Sequence, residues 1–256
     1  MLSNAGTTKF DSARLRSRRM RAHAAAACAR ALRAALPQTC SLCADPSGDA
    51  LLCDACIREM PRIDESCPRC ASASPSGATC GACLVAPPPQ AATIAAWRYA
   101  FPADRLLHSF KYRGRLAFAE PLADAIVAAV TARGTVAPDV LVAVPLARSR
   151  QLVRGYNHAQ EIARRISLRL GVPLANGLRR VRDAPPQAAS GLAARAQNVR
   201  GAFAATMRHD GLTVAIVDDV MTTGATLAAA AAAMHDSGAA RVEAWVVART
   251  PSPKAR

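Results

Sequence analysis

The stretch from Thr213 to Leu227, TVAIVDDVMTTGATL, joins an apolar run, two adjacent carboxylates and a turn of small hydroxylated residues. The apolar run, Thr213 to Val217, predicts a buried strand that delivers Asp218 and Asp219 to its carboxyl edge. Gly224 then opens a predicted helix whose first N–H groups lack helical partners and can bind a phosphate. The hydroxyl donors that can join them are Thr222, Thr223 and Thr226.

The two carboxylates need a different ligand, because they would repel a phosphate. They suit the 2′ and 3′ hydroxyls of a ribose, and a Mg²⁺ ion can link this edge to a pyrophosphate group. The sequence therefore indicates a site for a phosphorylated sugar rather than for a bare phosphate.

Eight of the nine cysteines form four CxxC pairs in two halves of identical spacing, with nine residues between the pairs of each half. The pairs are Cys40/Cys43, Cys53/Cys56, Cys67/Cys70 and Cys80/Cys83. Two CxxC turns supply the tetrahedral four-sulfur set that zinc prefers, so we expect two structural Zn²⁺ ions. Disulfides or redox pairs are disfavoured by the regular repeat, but the spacing leaves open whether the two sites are sequential or interleaved. Cys28, among alanines, is expected to be a buried apolar residue.

The apolar runs after Ala91 alternate with helical patterns, which predicts an α/β domain with a mostly parallel sheet flanked by helices. Asp139 to Val144 and Val242 to Ala248 are the other predicted strands. Asn157 to Leu170 and Ala225 to Ser237 are predicted helices that end at glycines.

Composition predicts three regions: a basic extension at 1–36, a zinc module with a proline-rich linker at 37–90, and the α/β domain at 91–256. The formal net charge is +15, and the extension contributes +7 of it, from eight basic side chains and Asp11. A second basic stretch runs from Arg148 to Arg182. Such charge attracts polyanions, although arginines exposed to solvent are the alternative interpretation. No apolar run is long enough to span a bilayer and the start lacks the order of a signal peptide, so we expect a cytoplasmic protein.

The thirteen residues from Val214 to Thr226 resemble the phosphoribosyl-pyrophosphate (PRPP) fingerprint of type I phosphoribosyltransferases. Other segments are similar to signature blocks of the competence-protein-F family, which has a cysteine-rich zinc module followed by a phosphoribosyltransferase-like domain. The similarity begins near Leu36 and leaves out the basic extension. These segments are Phe110 to Gly114 (FKYRG), Val144 to Leu146 (VPL), Arg154 to Ala159 (RGYNHA), and Gln187 to Phe203 with Arg195, Asn198, Gly201 and Phe203.

The resemblance implies that the loop after Val144 holds pyrophosphate, that residues 178–203 form a mobile hood, and that Asp218 and Asp219 take part in catalysis. Arginine and lysine side chains near these loops in sequence are candidates for binding phosphate oxygens, with a solvated charge as the alternative for each. Asn157 and His158 are expected to be a helix cap and an ordinary polar residue. The full predicted PRPP set is Asp218, Asp219, Thr222, Thr223, Gly224, Ala225, Thr226, Lys111, Arg113, Arg148, Arg154 and Arg195.

Two functions fit these features. The first is a phosphoribosyltransferase acting on a nucleobase-like acceptor with release of pyrophosphate. The second is a PRPP-binding protein without catalysis that handles single-stranded DNA during DNA uptake, as the family name implies. In this case the extension at 9–33 would contact the strand, and the protein partners would come from the uptake system. A regulator whose zinc module binds a partner protein is a third.

We predict two zinc ions per chain, because eight thiolates in two identically spaced units can fill two tetrahedral sites. Metal analysis of protein purified without added metal should find zinc at about that ratio. Metal-free protein with every CxxC pair oxidised to a disulfide would contradict this prediction.

Overall fold

The computed structural model describes residues 28, 38–147, 151, 155–182 and 201–251. Its two compact units are Met1–Cys53 and Asp54–Arg256. In the first unit, strand β1 (Gln38–Thr39) pairs antiparallel with β2 (Pro46–Gly48).

Cys28 lies in a helical segment of the first unit and is exposed. The prediction that it is buried is therefore wrong. A cysteine side chain is small, so the apolar area that its burial would remove from water stabilises the fold only a little.

The second unit opens with short elements that carry the remaining cysteines: α1 (Asp54–Arg58), a 3-10 turn (Pro75–Gly77) and α2 (Gly81–Val85). The proline-rich segment that follows ends at the fully buried Gln90, which donates to the Thr93 hydroxyl.

A five-stranded parallel sheet in the order β3-β9-β8-β4-β5 forms the centre of the second unit. Helices α4 and α5 pack against each other, α5 also packs on β4 and β8, and α6 packs on β8, β9 and the antiparallel hairpin β6-β7. The elements are β3 (Ala92–Arg98), α3 (Ala103–Tyr112), α4 (Ala119–Ala132), β4 (Val140–Ala143), α5 (His158–Leu170), β5 (Leu174–Ala175), β6 (Leu178–Arg180), β7 (Phe203–Ala205), β8 (Thr213–Met221), α6 (Ala225–Asp236) and β9 (Arg241–Arg249). The predicted fold class is confirmed.

Helix α5 begins and ends as its sequence predicts. The Asn157 side chain accepts hydrogen bonds from the first turn, and Gly171 ends the helix in the left-handed conformation that glycine adopts without strain. Among the described residues, none of the helices has the length and apolarity needed to cross a membrane.

Strand β8 differs from its prediction at its carboxyl end. The apolar run stops at Val217, but β8 continues through Asp218 and Asp219 to Met221. The extension is possible because β9 pairs with β8 over its whole length, up to Met221 opposite Arg249. The two carboxylates therefore lie on regular strand backbone rather than in a loop.

Candidate functional site

The sheet opens on one side of β8 at the position of the two carboxylates. Strand β4 pairs with β8 from Val140 to Ala143, and the Val144 N–H still donates to the Val217 carbonyl at 3.0 Å. From Asp218 onward, β9 is the strand that pairs with β8 in the described ranges. This edge lies at the carboxyl ends of parallel strands, which is where α/β sheets bind ligands.

The two carboxylates affect each other electrostatically, and Lys111 contacts one of them. The Asp219 N–H donates to Asp218 Oδ1 at 2.8 Å, and Lys111 Nζ lies 2.9 Å from Asp219 Oδ1. Burial and the negative charge of Asp219 raise the pKa of Asp218 to about 7, against the opposing effects of the Asp219 N–H and Lys111. A proton, a metal ion or a hydroxyl donor at Asp218 would therefore relieve a charge that this site holds at a cost.

The turn after β8 presents backbone N–H groups next to these carboxylates. Thr222 and Thr223 are exposed, and the Thr223 hydroxyl accepts from the Ala225 N–H at 3.3 Å at the start of α6. Gly224 has φ +83°, and a Cβ there would lie 2.5 Å from Met221 Cε. Glycine is favoured here by the backbone conformation, while the flexible end of the Met221 side chain could shift to make room for a Cβ.

Lys111 is positioned by an aromatic cluster between α3 and α5. The Tyr156 hydroxyl donates to the Phe110 carbonyl, and the buried His158 ring packs edge-on against Phe110 at 5.1 Å between centroids. Asn157 adds a link to the end of β4, because its Nδ2 donates to the Val144 carbonyl at 3.0 Å. Asn157 and His158 therefore act as the predicted cap and a buried packing residue.

Several predicted site residues are not brought together by the described structure. Arg113 is exposed just after α3. The base of the predicted hood is the β6-β7 hairpin. The remaining predictions fall outside the described residues: Arg148, Arg154, Arg195 with Asn198, hood residues 183–200, and the basic extension at 9–33.

The eight cysteines form two groups, and within each group the four sulfur atoms lie within 4.8 Å of one another. The groups are sequential rather than interleaved: Cys40, Cys43, Cys53 and Cys56, then Cys67, Cys70, Cys80 and Cys83. The Sγ atoms of Cys43 and Cys53 are 3.7 Å apart, and so are those of Cys70 and Cys80. Tetrahedral zinc with Zn–S bonds of about 2.3 Å requires an S···S distance of about 3.8 Å, so both groups fit the ion.

The two leading CxxC turns have the same backbone hydrogen bonds. The Ala44 N–H donates to the Cys40 carbonyl, the Ala71 N–H donates to the Cys67 carbonyl, and both alanines have positive φ. Burial raises the pKa of each leading thiol, but hydrogen bonds from nearby backbone N–H groups outweigh it and lower the pKa to about 6 for Cys40 and about 7 for Cys67. Both turns therefore favour the thiolate form that binds metal.

Sequence reasoning missed Arg249, which is buried at the end of β9 and contacts both the second cysteine group and the turn after β8. Its signal in the sequence is a single arginine that ends the apolar run AWVVAR. An arginine at a strand end is common on protein surfaces, so this signal does not distinguish a buried one.

Family models match both parts of the chain. The model of the phosphoribosyl transferase domain matches residues 151–256, and that of the double zinc ribbon domain matches residues 31–84. The described site and the second cysteine group thus lie in segments that resemble these two families.

Known proteins resemble the chain over much of their length. The DNA utilization protein YhgH of Salmonella typhi is 32% identical over 172 residues, which cover 65% of this chain and 76% of that protein. Competence protein F of Haemophilus influenzae is 31% identical over 159 residues, 59% of this chain and 69% of that protein. A solved glutamine PRPP amidotransferase from B. subtilis, in complex with ADP and GMP, superposes with a TM-score of 0.36 at 20% identity, over 54% of this chain and 30% of that one.

We predict that Asp218→Asn stabilises the unliganded protein more at pH 8 than at pH 5.5. The pKa of Asp218 is about 7 in the folded chain and about 3.9 when unfolded, so the folded chain binds the extra proton between these values. Wild-type stability therefore falls as pH rises through this window and levels off above about pH 7. The melting temperature of Asp218→Asn should exceed that of the wild type by a few degrees more at pH 8 than at pH 5.5, at about 2–4 °C per kcal/mol. A gap that is the same at both pH values would contradict the strained carboxylate pair.

Proposed function

The chain belongs to the competence-protein-F family, and from this premise we propose that it binds PRPP at the carboxyl end of β8 and transfers the phosphoribosyl group to a nitrogen acceptor. The observation that carries the proposal is the placement of Asp218 and Asp219 beside the Thr222–Thr226 turn, at the point where β4 leaves β8. This juxtaposition provides acceptors for a ribose and donors for a phosphate within one continuous segment.

Each part of PRPP has a matching part of the site. The 5′-phosphate would bind the N–H groups that begin α6 together with the hydroxyls of Thr222 and Thr223, where the helix dipole favours an anion. The ribose 2′ and 3′ hydroxyls would donate to Asp218 and Asp219. The arginines predicted from the sequence would bind the pyrophosphate oxygens.

A Mg²⁺ ion bound with PRPP would neutralise charge on the pyrophosphate and fits the oxygen ligands of this edge. Lys111 is the described cation nearest the carboxylate pair, with Nζ 2.9 Å from Asp219. In the unliganded chain it neutralises part of the carboxylate charge, and a bound ribose would share Asp219 with it.

The proposed reaction breaks the bond from ribose C1 to the pyrophosphate oxygen, and the pyrophosphate leaves with the electron pair. A nitrogen lone pair of the acceptor forms the new C1–N bond, and the proton that the nitrogen loses goes to the departing pyrophosphate or to water. Positive charge develops on the ribose in between, and Asp218 and Asp219 are close enough to the ribose site to stabilise it. We propose a nucleobase-like nitrogen compound as the acceptor.

We predict that Asp218→Asn with Asp219→Asn weakens PRPP binding by at least about tenfold, because each change removes a charged acceptor and hydrogen bonds to charged groups contribute about 1.5–3 kcal/mol. Isothermal titration with Mg²⁺ present measures this directly. Asp236→Asn is the matched control, since it removes an exposed carboxylate at the far end of α6.

Gly224→Val provides a second test in which the carboxylates are unchanged. A β-branched side chain at φ +83° is strained and fills the approach to the phosphate, so it should also weaken binding. A panel of nucleobases with PRPP and Mg²⁺, read by pyrophosphate release, then tests transfer. Unchanged affinity in both the double variant and Gly224→Val would refute the site.

A second candidate function, the handling of single-stranded DNA, is favoured by a feature of α3. The exposed face of this helix and its flank alternates aromatic and basic side chains at helical spacing, and we call it the α3 stripe: Phe101, Arg105, His108 and Tyr112. Phe101 is 73% exposed and Tyr112 is 62% exposed, and the His108 and Tyr112 rings lie 4.8 Å apart.

Such a face suits single-stranded DNA better than double-stranded DNA. Unpaired bases stack on aromatic rings while cations track the phosphates. The opposite face of α3 holds the buried Leu106, Leu107 and Phe110, so the stripe is the side that the fold leaves to solvent. The extension at 9–33 has positive charge but a single aromatic residue, Phe10. The α3 stripe would therefore contribute base stacking, and the extension would contribute charge attraction to the phosphates.

We predict that Phe101→Ala with Tyr112→Ala lowers the affinity for an oligothymidine by about tenfold or more, since each stacked base is worth about 1–3 kcal/mol, and leaves the salt dependence unchanged. Deleting residues 1–35 should instead flatten the slope of log affinity against log salt, by about 0.7 for each phosphate that the extension neutralises. Fluorescence anisotropy over a salt series measures both.

Val136→Ala is the control for this experiment, because Val136 is 89% exposed and lies outside the stripe. Full affinity in the double alanine variant would exclude the α3 stripe as the stacking surface. An unchanged slope after the deletion would assign the phosphate contacts to the stretch from Arg148 to Arg182.

A further inference from the structure

Arg249 connects the second cysteine group to the turn that follows β8. It is the last residue of β9 and is 8% exposed. On one side its Nε donates to the Cys70 carbonyl at 2.9 Å and its Nη2 donates to the Ser72 hydroxyl at 3.0 Å. On the other side its Nη1 donates to the carbonyls of Met221, at 3.3 Å, and Thr222. All these residues belong to the same compact unit.

The acceptors on the cysteine side belong to the metal-binding turn itself. Cys70 is one of the four clustered thiols, and the Ser72 carbonyl accepts from the N–H of Cys67, another of them. A four-cysteine segment depends on its metal for a fixed shape. The position of these two acceptors therefore depends on zinc in the second group.

The acceptors on the other side fix the start of the phosphate-binding turn. The Met221 carbonyl also accepts from the Thr250 N–H at 3.0 Å, and Met221 Cε lies beneath Gly224. Thr222 is the first residue of the turn. Arg249 thus holds the backbone from which the predicted phosphate donors project.

The buried charge of Arg249 adds a second dependence on zinc. Its acceptors are carbonyl and hydroxyl oxygens, so these hydrogen bonds do not neutralise the guanidinium, and an uncompensated buried charge is costly. Four thiolates around one Zn²⁺ carry a net charge of about −2. A zinc-loaded second group would therefore supply a countercharge beside Arg249, whose Nε donates to the carbonyl of the ligand residue Cys70.

We propose that Arg249 is a positioning residue through which zinc in the second cysteine group holds the phosphate-binding turn in its binding shape. The inference rests on the proposed PRPP site and adds regulation to it: loss of zinc releases Arg249 and loosens the turn. Zinc then controls the affinity for PRPP from outside the ligand site.

A second arginine provides a matched control for the simpler idea that Arg249 only attaches the cysteine segment to the sheet. Arg133 Nη2 donates to the Ser66 hydroxyl at 3.0 Å and its Nη1 donates to the Thr93 carbonyl at 3.2 Å. Arg133 therefore attaches the same segment to β3, at a distance in sequence and topology from the turn after β8. Removing it tests attachment without touching the phosphate-binding turn.

The experiment compares full-length, zinc-loaded wild type with Arg249→Met, Arg249→Lys and Arg133→Met. Hydrogen exchange of the peptide covering 219–227 is measured without ligand, and PRPP affinity is measured by titration at a temperature where each protein is folded. Arg249→Met should exchange at least about tenfold faster in this peptide and bind PRPP about tenfold more weakly, as expected for loss of hydrogen bonds from a charged donor. Arg133→Met should stay within about twofold of wild type in both measurements, on the same scale.

The lysine variant keeps the charge but cannot reach both sides with one ammonium group, so its exchange rate and PRPP affinity should lie between those of wild type and Arg249→Met. It replaces the methionine variant if that one fails to fold. Equal effects of Arg249→Met and Arg133→Met would overturn the proposal, because Arg249 would then only attach the segment. If the wild type itself does not bind PRPP, the proposed function fails, while the exchange measurement still decides whether Arg249 holds the turn.

Discussion

The structure of the site depends on the unequal pairing of the two sides of β8. Strand β4 accompanies β8 only as far as Ala143 opposite Val217, whereas β9 accompanies it to Met221. The continuous pairing with β9 keeps Asp218 and Asp219 on regular strand backbone, and β4 has stopped pairing with β8 before them. If both neighbours ended together, the carboxylates would lie in a loop, and if both continued, strands would flank them on both sides.

This arrangement concentrates charge at one place. Two adjacent carboxylates are brought together at the sheet edge, and burial with the charge of Asp219 raises the pKa of Asp218 to about 7. Two features oppose this negative charge: Lys111, which reaches Asp219 from α3, and the backbone N–H groups of the turn that follows β8. The same edge therefore offers negative acceptors and positive donors within a few residues. A phosphorylated sugar has groups for both, whereas a bare phosphate or a bare cation would use only one of them.

The sequence was sufficient where a local pattern determines local structure. The apolar residues of β8 and the Asn157 and Gly171 ends of α5 predicted elements that the structure contains. It was insufficient where the deciding partner is distant. The spacing of the cysteines is the same for sequential and interleaved sites, and only packing selects the sequential arrangement. Arg249 meets the Cys70 carbonyl across 179 positions, a contact that no periodicity reveals.

The acidic pair also bears on whether PRPP is bound or turned over. For a protein that only senses PRPP, the proposed hydrogen bonds from the ribose hydroxyls to these carboxylates add affinity and nothing more. Their favourable effect is larger when the ribose becomes positively charged as pyrophosphate departs, and an interaction that is stronger in the transition state than in the ground state accelerates a reaction. Holding Asp218 ionised against its raised pKa costs free energy in the unliganded chain. Stabilising a positively charged ribose would offset more of that cost than ground-state hydrogen bonds alone, and for this reason we propose transfer rather than sensing.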